Sequence, residues 1–512
     1  MHWLALPDPS TDSLPAFRDP ADAASWLAAL AGTPADEALI ALREQIAALD
    51  CAGFAAPQTV ALLNLLRSTM VPLQAAHAAS YTRQPLPLAS AEEQSFTTAH
   101  TAWTQLGIAY LRVVPNCTPA NKALPLLRAA SAFRLAQYCH FLAARTCPPL
   151  LDQLLVNVLA TAAANDVLHK AVIDPDYPRQ GKGSIGGQVA WAFVLRAIDP
   201  YHLTATQLRI ANSACGRWRE LVSIKSGAVD WQKSYVVDLS ALIGHVLPAG
   251  SPCWLDIRGV ARKIGKRIDA LKAGESPEAL NMGRELSAAA AIRLLVDLEQ
   301  HLHPTETAVP GSAHAIELEF GSEKAYAVLA NRPLNVTSNE DFESRSQIYR
   351  RMELLGFERI APLPTAVKKR LAVPGERWVI AQGTVTRAAQ TETTRLRSPC
   401  LVAAVVKNLP KLGTLTSLRC ADDGTMTGHL TWYGGTIEAG SLKRLAPLGD
   451  KLVRVPVFLL KRHGQVSVIL PPDSGTRLGV GLDLTETSIA QVIPVEVLER
   501  GTDFVHYACQ SK

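Results

Sequence analysis

Apolar residues return every three or four positions from Asp19 to about Glu299, the period of helices with one buried side. Trp26, Leu27 and Leu30 share one side of a short first helix. Asp36 stands where it can cap the next, in which Leu39, Ile40, Leu42, Ile46, Ala47 and Leu49 recur. Pro57 opens a run through Leu62, Leu63, Leu65, Leu66 and Met70. Pro85 and Pro87 end that run, because the residue before a proline is pushed out of helical conformation. Further helices are predicted at about 91–113, 119–145, 149–172, 188–197, 204–224, 256–273 and 283–302. No fixed repeat period emerges, so residues 1–302 are expected to form an irregular helical array, with a subdomain break at the Pro/Gly-rich loop 174–187.

After that the pattern changes. Residues 303–313 read as a linker, and 303–370 as a connecting segment with one helix, Glu340–Leu355. From Trp378 the apolar runs become short and bounded by turns, the signature of strands. Leu401–Val406, Thr414–Arg419, His429–Tyr433, Thr436–Glu438, Val453–Leu460, Val466–Leu470, Leu478–Leu484 and Ile489–Leu498 are strand candidates. Asp422–Gly424 and Gly434–Gly435 supply hairpin turns between them. The set is large enough to close a barrel over 371–512. The expected fold is therefore multidomain α + β: an all-α N-terminal region followed by one antiparallel β-barrel.

Composition narrows the class. Of the 512 residues, 48% are hydrophobic and 19% charged, a globular balance too long for one core. The net charge of +5 gives no reason to expect a nucleic-acid polymer as partner. Nine scattered cysteines without a Cys-x-x-Cys pair read as thiols in a reducing compartment. The first residues lack the basic start and apolar core of a signal peptide, and no apolar run reaches the ~18–20 residues of a membrane span. A cytoplasmic protein is expected.

Candidate chemistry is sparse. The glycine-rich segment Gly181–Gly187 lacks a preceding strand and the P-loop lysine-serine order, so an inter-helix loop is the better reading than a phosphate cradle. Arg258, Arg262, Lys263, Lys266 and Arg267 form a basic stripe, but Leu255, Ile257, Val260, Ile264, Ile268 and Leu271 give the same segment an apolar side. An ordinary amphipathic helix explains both. His301 and His303, near Asp297 and Glu299, cannot share a helical face, and no third ligand is indicated, so no metal is expected. No Gly-x-Ser-x-Gly, His-Glu-x-x-His or kinase signature occurs, so no catalytic residues are assigned and an enzyme acting on a small metabolite is the least favoured reading.

The order of several features resembles one group of proteobacterial cyclic-di-GMP receptor-like proteins. Trp26–Leu30, Pro85–Leu88, Trp103, Tyr110 and Leu255–Arg258 carry the likeness in the helical part. Gly413–Arg419, Gly428–Trp432, Glu438–Gly440 and Glu499–Phe504 carry it in the β part. The resemblance implies a helical N-terminal region, a C-terminal PilZ-type barrel, and a link to surface attachment and pilus-associated behaviour. A PilZ site holds its ligand with an Arg-x-x-x-Arg segment and an Asp/Asn-x-Ser-x-x-Gly strand. The stretch 371–512 contains no such arginine pair. Arg387, Arg395 and Arg397 are the nearest cations, with Lys368, Lys369 and Arg370 upstream. Asn408 and Gly413 bracket the second motif, but Pro410 replaces its serine and removes a hydroxyl and a backbone donor.

The candidate ligand-binding residues are thus Arg387, Arg395, Arg397, Asn408 and Gly413. Two readings compete. In one, a divergent barrel binds cyclic di-GMP through these residues, helped by 16 Lys+Arg against 12 Asp+Glu from residue 371 onward. In the other, the barrel has lost the ligand and the chain is an adaptor that binds a protein partner, such as a component of the pilus or attachment machinery. No cofactor is expected in either.

Overall fold

The computed structural model describes residues 6–8, 13–227, 235–244, 246–247, 250–303, 312–334, 375–390, 394–445 and 452–511. Its chain separates into two compact units, Met1–Ala308 and Val309–Lys512. The helix expected at Glu340–Leu355 and the basic residues Lys368, Lys369 and Arg370 lie outside the described residues.

The first unit is helical, as its periodicity requires. Its main helices are α1 (Pro20–Ala29), α2 (Ala35–Cys51), α3 (Ala56–His77), α4 (Ser90–Val113), α5 (Ala123–Ala143), α6 (Pro149–Ala164), α7 (Ile185–Ala197) and α8 (Ala205–Trp218). Asp19 caps α1 by accepting from the backbone of Ala21 and Asp22. Asp36 does not cap α2. Pro34 holds that position, and Asp36 lies inside the first turn, where its charge favours the helix dipole.

Short strands β1 (Val172–Ile173) and β2 (Lys182–Gly183) pair between α6 and α7. The unit ends with β3 (Ser223–Lys225), β4 (Val236–Asp238), α9 (Leu239–Ile243), β5 (Trp254–Asp256), α10 (Arg258–Lys272) and α11 (Ala288–Leu302), the three strands forming a sheet in the order β3-β5-β4.

Helix α5 is buried on nearly every side, which is the place of a helix apolar all round. It nevertheless carries Arg128, Arg134, Gln137 and His140 into the core. A buried charge must be paired. Arg67 from α3 bonds Asp174 Oδ2 at 2.6 Å and also pairs with Asp176. Arg128 approaches Asp174 at 3.5 Å and Asp176 at 3.6 Å. Arg134 stacks over Trp191, 3.6 Å from its centroid, and Gln137 donates to Asp152, which pairs with Arg196. The loop 174–187 is thus tied into the helical core. Two of its aspartates reach the core, and one apolar cluster runs from Phe17 to Leu302.

The second unit contains two closed six-stranded antiparallel barrels where one was expected. The first is built from β6 (His314–Phe320), β7 (Glu376–Ala381), β8 (Thr384–Arg387), β9 (Cys400–Val406), β10 (Leu409–Cys420) and β11 (Met426–Trp432). The second comprises β12 (Thr436–Leu445), β13 (Leu452–Arg462), β14 (Gln465–Leu470), β15 (Leu482–Thr485), β16 (Gln491–Arg500) and β17 (Val505–Ser511). Gly434–Gly435 is the passage from one barrel to the other and not a hairpin turn. β11 pairs with β8 and β10, whereas β12 pairs with β13 and β15. The barrel region also begins earlier than residue 371, because β6 lies in the segment read as connecting.

The two barrels are wound identically. In each, the first three strands form a meander, the third pairs with the sixth, and the fifth pairs with both the sixth and the fourth, which closes on the first. Even the turn between second and third strands matches: Gln382–Gly383 and His463–Gly464 are two-residue turns with positive φ at both positions (49° and 82°; 48° and 77°). That is the type I′ geometry whose twist suits a hairpin. Helix α12 (Ser322–Ala330) joins the pair. Its Ala325, Tyr326 and Val328 pack in one apolar cluster with Leu401, Ala403 and Leu412 of the first barrel and Phe458, Leu460, Ile469 and Phe504 of the second.

Candidate functional site at the joint between the barrels

The β16–β17 turn of the second barrel clamps the entry to β9 of the first. Thr502 donates its backbone N–H to Pro399 O at 2.8 Å and its hydroxyl to Arg397 O at 3.1 Å. Asp503 Oδ1 accepts the Leu401 N–H at 2.9 Å. Gly501 is required here, because a Cβ would stand 2.2 Å from the Phe504 ring and 2.9 Å from Pro399 O. Beside this clamp, the Tyr433 hydroxyl bonds Thr414 Oγ1 at 2.6 Å and Glu499 Oε2 at 3.1 Å. The Tyr433 ring meets His506 edge-on at 5.4 Å, and His506 Nε2 lies 2.9 Å from Ser467 Oγ.

Burial sets the electrostatics of this joint. It pushes the Asp503 carboxyl up to about 6, against the Leu401 N–H that favours its ionised form. It raises Glu499 too, and it raises Tyr433 further with help from the Glu499 charge. His506 is pushed down to about 4, so its ring is neutral at physiological pH. The mouth of the joint has the opposite character: Arg395 and Arg397 are exposed on either side of buried Leu396.

The five expected ligand residues are not gathered in one place. Arg387 is buried in the first barrel, paired with Glu376 and stacked over Trp378 at 5.1 Å. Asn408 forms a two-residue turn with Lys407, both at positive φ (63° and 51°), between β9 and β10. Roughly 20 Å of strand, at ~3.4 Å per residue, separates that turn from the Arg395/Arg397 loop.

Gly413 has a packing role. A Cβ there would lie 2.5 Å from Thr431 O and 2.8 Å from Trp432. Gly413→Ala is expected to cost about 1–3 kcal/mol through overpacking against backbone, read as a lowered urea midpoint. An unchanged midpoint would mean that the β10–β11 pair gives way freely.

Other sequence candidates have internal explanations. At the N-terminus of α7, Ser184 is the cap and the Glu220 carboxylate accepts both its N–H and its hydroxyl, at 2.9 and 2.8 Å. A Cβ on Gly187 would meet Glu220 Oε1 at 2.1 Å, so an acid occupies the place a phosphate would need. In α10 the apolar side is buried as the periodicity implies. Arg258 is tied to Asp256, and Arg267 stacks over Trp218 at 5.2 Å. Arg258 and Arg262 do have Arg-x-x-x-Arg spacing, but they belong to the helical unit. A groove of about 610 Å³ in the first barrel includes Glu317, Glu319 and Lys407. Burial raises the Glu319 carboxyl, and the two acids make this groove a poor seat for an anion.

Among the described residues no helix is long and apolar enough to cross a membrane. No curated protein and no solved structure matches the chain. Residues 21–228, from α1 to just beyond β3, match the family model described as "Cyclic-di-GMP receptor FimW, N-terminal domain". The match lies within the helical unit and covers somewhat less than half of the chain, so this part of the protein is similar to the N-terminal domain of a cyclic-di-GMP receptor family.

Proposed function

We propose that this chain is a non-catalytic cytoplasmic receptor for cyclic di-GMP whose ligand is held at the joint between the barrels, with Arg395 and Arg397 as the phosphate contacts. The observation that carries the reading is the exposed arginine pair on a loop pinned to the second barrel through Thr502 and Asp503. Guanidinium groups bind phosphate by bidentate, charge-assisted hydrogen bonds and stack on base faces. A ligand on this loop would feel the clamp behind it, which links occupancy to the relation between the two barrels. The family of the N-terminal domain supports the ligand class. For the non-catalytic role, the support is that His506, the imidazole nearest a serine in the joint, is too weak a base near neutral pH. Output to a protein partner is part of the same proposal.

Calorimetric titration of the whole protein with cyclic di-GMP, at low and physiological salt, tests it. Saturable, salt-sensitive binding is expected. Arg395→Ala with Arg397→Ala should weaken it at least ~100-fold, since each charge-assisted bond contributes about 1.5–3 kcal/mol, while Tm stays nearly constant. Unaltered affinity in the double variant would reject this site. No heat at either salt from folded protein would reject the receptor reading and favour the adaptor.

A further inference from the structure

Where the chain leaves α7, Asp199 adopts a left-handed conformation (φ 47°) and begins a turn, Pro200–His202, that faces α11. The His202 and His301 rings stack 4.3 Å apart, 13° from parallel. Asp297 and His301 are four residues apart on α11 and so share its face. Two contacts set the tautomers. His202 Nε2 lies 2.6 Å from Asp297 Oδ2, and His301 Nδ1 lies 2.9 Å from the backbone oxygen of Asp297. Neither oxygen can donate, so each of these nitrogens carries the hydrogen and, in a neutral ring, the other nitrogen keeps its lone pair.

His202 Nδ1 is buried, has no hydrogen-bond partner among the described residues, and lies 3.9 Å from Asp199 Oδ2. The lone pair and the carboxylate oxygen face each other at a separation that lets one cation between them accept both as ligands. One donor atom from each of Asp199, His202 and His301 falls within 4.8 Å of the others.

We propose that Asp199, His202 and His301 bind a divalent ion of the zinc class, with Asp297 as the outer partner that orients both imidazoles. Two neutral imidazoles and one carboxylate are a donor set suited to zinc, nickel or cobalt(II), with a fourth position left to water. Histidine ligands commonly donate their other N–H to a carboxylate or a backbone carbonyl, and Asp297 supplies one of each. The turn is held from behind: Arg83 donates to Pro200 O at 2.6 Å, and the Tyr201 hydroxyl donates to Arg145 O at 3.0 Å. Because the rings are nearly parallel, binding requires one imidazole to rotate so that both lone pairs converge; partly exposed His301 has room to do so. An ion here would tie α11, which lies beyond the matched domain, to the turn after α7.

Chelator-stripped whole protein titrated with zinc(II) by calorimetry, and with cobalt(II) by visible absorption, tests the site. One saturable ion per chain is expected, with a cobalt spectrum of nitrogen/oxygen and not thiolate ligation, and a Tm that rises with zinc and falls back on chelation. His202→Ala and His301→Ala should each weaken binding at least ~10-fold, and Asp297→Asn ~10–100-fold. Absence of saturable binding to the folded wild-type protein would overturn the proposal. So would a thiolate spectrum, or affinity unchanged in folded His202→Ala and His301→Ala variants.

Discussion

Asp174→Ala is expected to destabilise the helical unit by about 3–5 kcal/mol, the usual result of removing one partner from a buried ion pair. Arg67 is fully buried, and although burial works against its charge, Asp174 holds the guanidinium above its ordinary value. Without Asp174, Arg67 and Arg128 would share Asp176 alone. The loss should appear in chemical denaturation as a lower midpoint with little change in slope. The double variant Arg67→Met, Asp174→Leu should recover much of it, because a well-packed apolar pair can replace a buried ion pair with little loss. If the single variant unfolds at the wild-type midpoint, the loop is held by something other than these charges.

The second large effect concerns pH and the barrel joint. Asp503→Asn should raise the stability of the barrels at neutral pH by on the order of 2 kcal/mol, from a shift of about two pKa units at 1.36 kcal/mol each, reduced for partial exposure. Asp503 titrates near 6 when folded and near 3.9 when unfolded. The native state therefore holds its proton more tightly, and stability from this group is lost as pH rises from about 4 through 6. His506 works in the other direction. Its folded value of about 4 lies below the unfolded ~6.5, so its contribution is lost as pH falls through the same window. The two slopes oppose each other in the wild type. Asparagine can still accept the Leu401 N–H, so the variant should retain the clamp and lose the Asp503 slope while the slopes of His506 and Glu499 remain. Tm measured from pH 4 to 8 should converge for the two proteins near pH 4 and separate above 6. Parallel curves across that range would rule out Asp503 as the titrating group.

Legibility in the sequence tracks the range of the interactions. Helices such as α2 and α10 are legible because Leu39, Leu42 and Ile46, or Val260, Ile264 and Ile268, repeat within a few residues and are buried as a face. Most strands of the barrels are legible for the same local reason. The count of barrels is not. Gly434–Gly435 has the chemistry of any tight turn, and only the pairing of β12 with the distant β15 shows that a second barrel starts there. Asn408 and Gly413 have the look of a ligand motif, yet one satisfies a turn and the other a close approach of neighbouring strands. His301 has no visible partner in the sequence because His202 lies far upstream, and their stacking depends on the packing of α11. The resemblance marks Glu499–Phe504 without explaining it; the contacts of Thr502, Asp503 and Glu499 supply the physical reason.

Helix α12 gives the barrels a common fate. A closed barrel normally has no unsatisfied edge and can be cut from its neighbour without exposing much that water would avoid. Here Tyr326 reaches across to Glu486 of the second barrel at 2.8 Å while its helix lies over the first. Severing the chain at Gly434–Gly435 would leave the apolar side of α12 half uncovered on one fragment and Phe458 and Phe504 bare on the other. The twinned barrels thus share one apolar seam, and separating them would give each a new surface for water to wet.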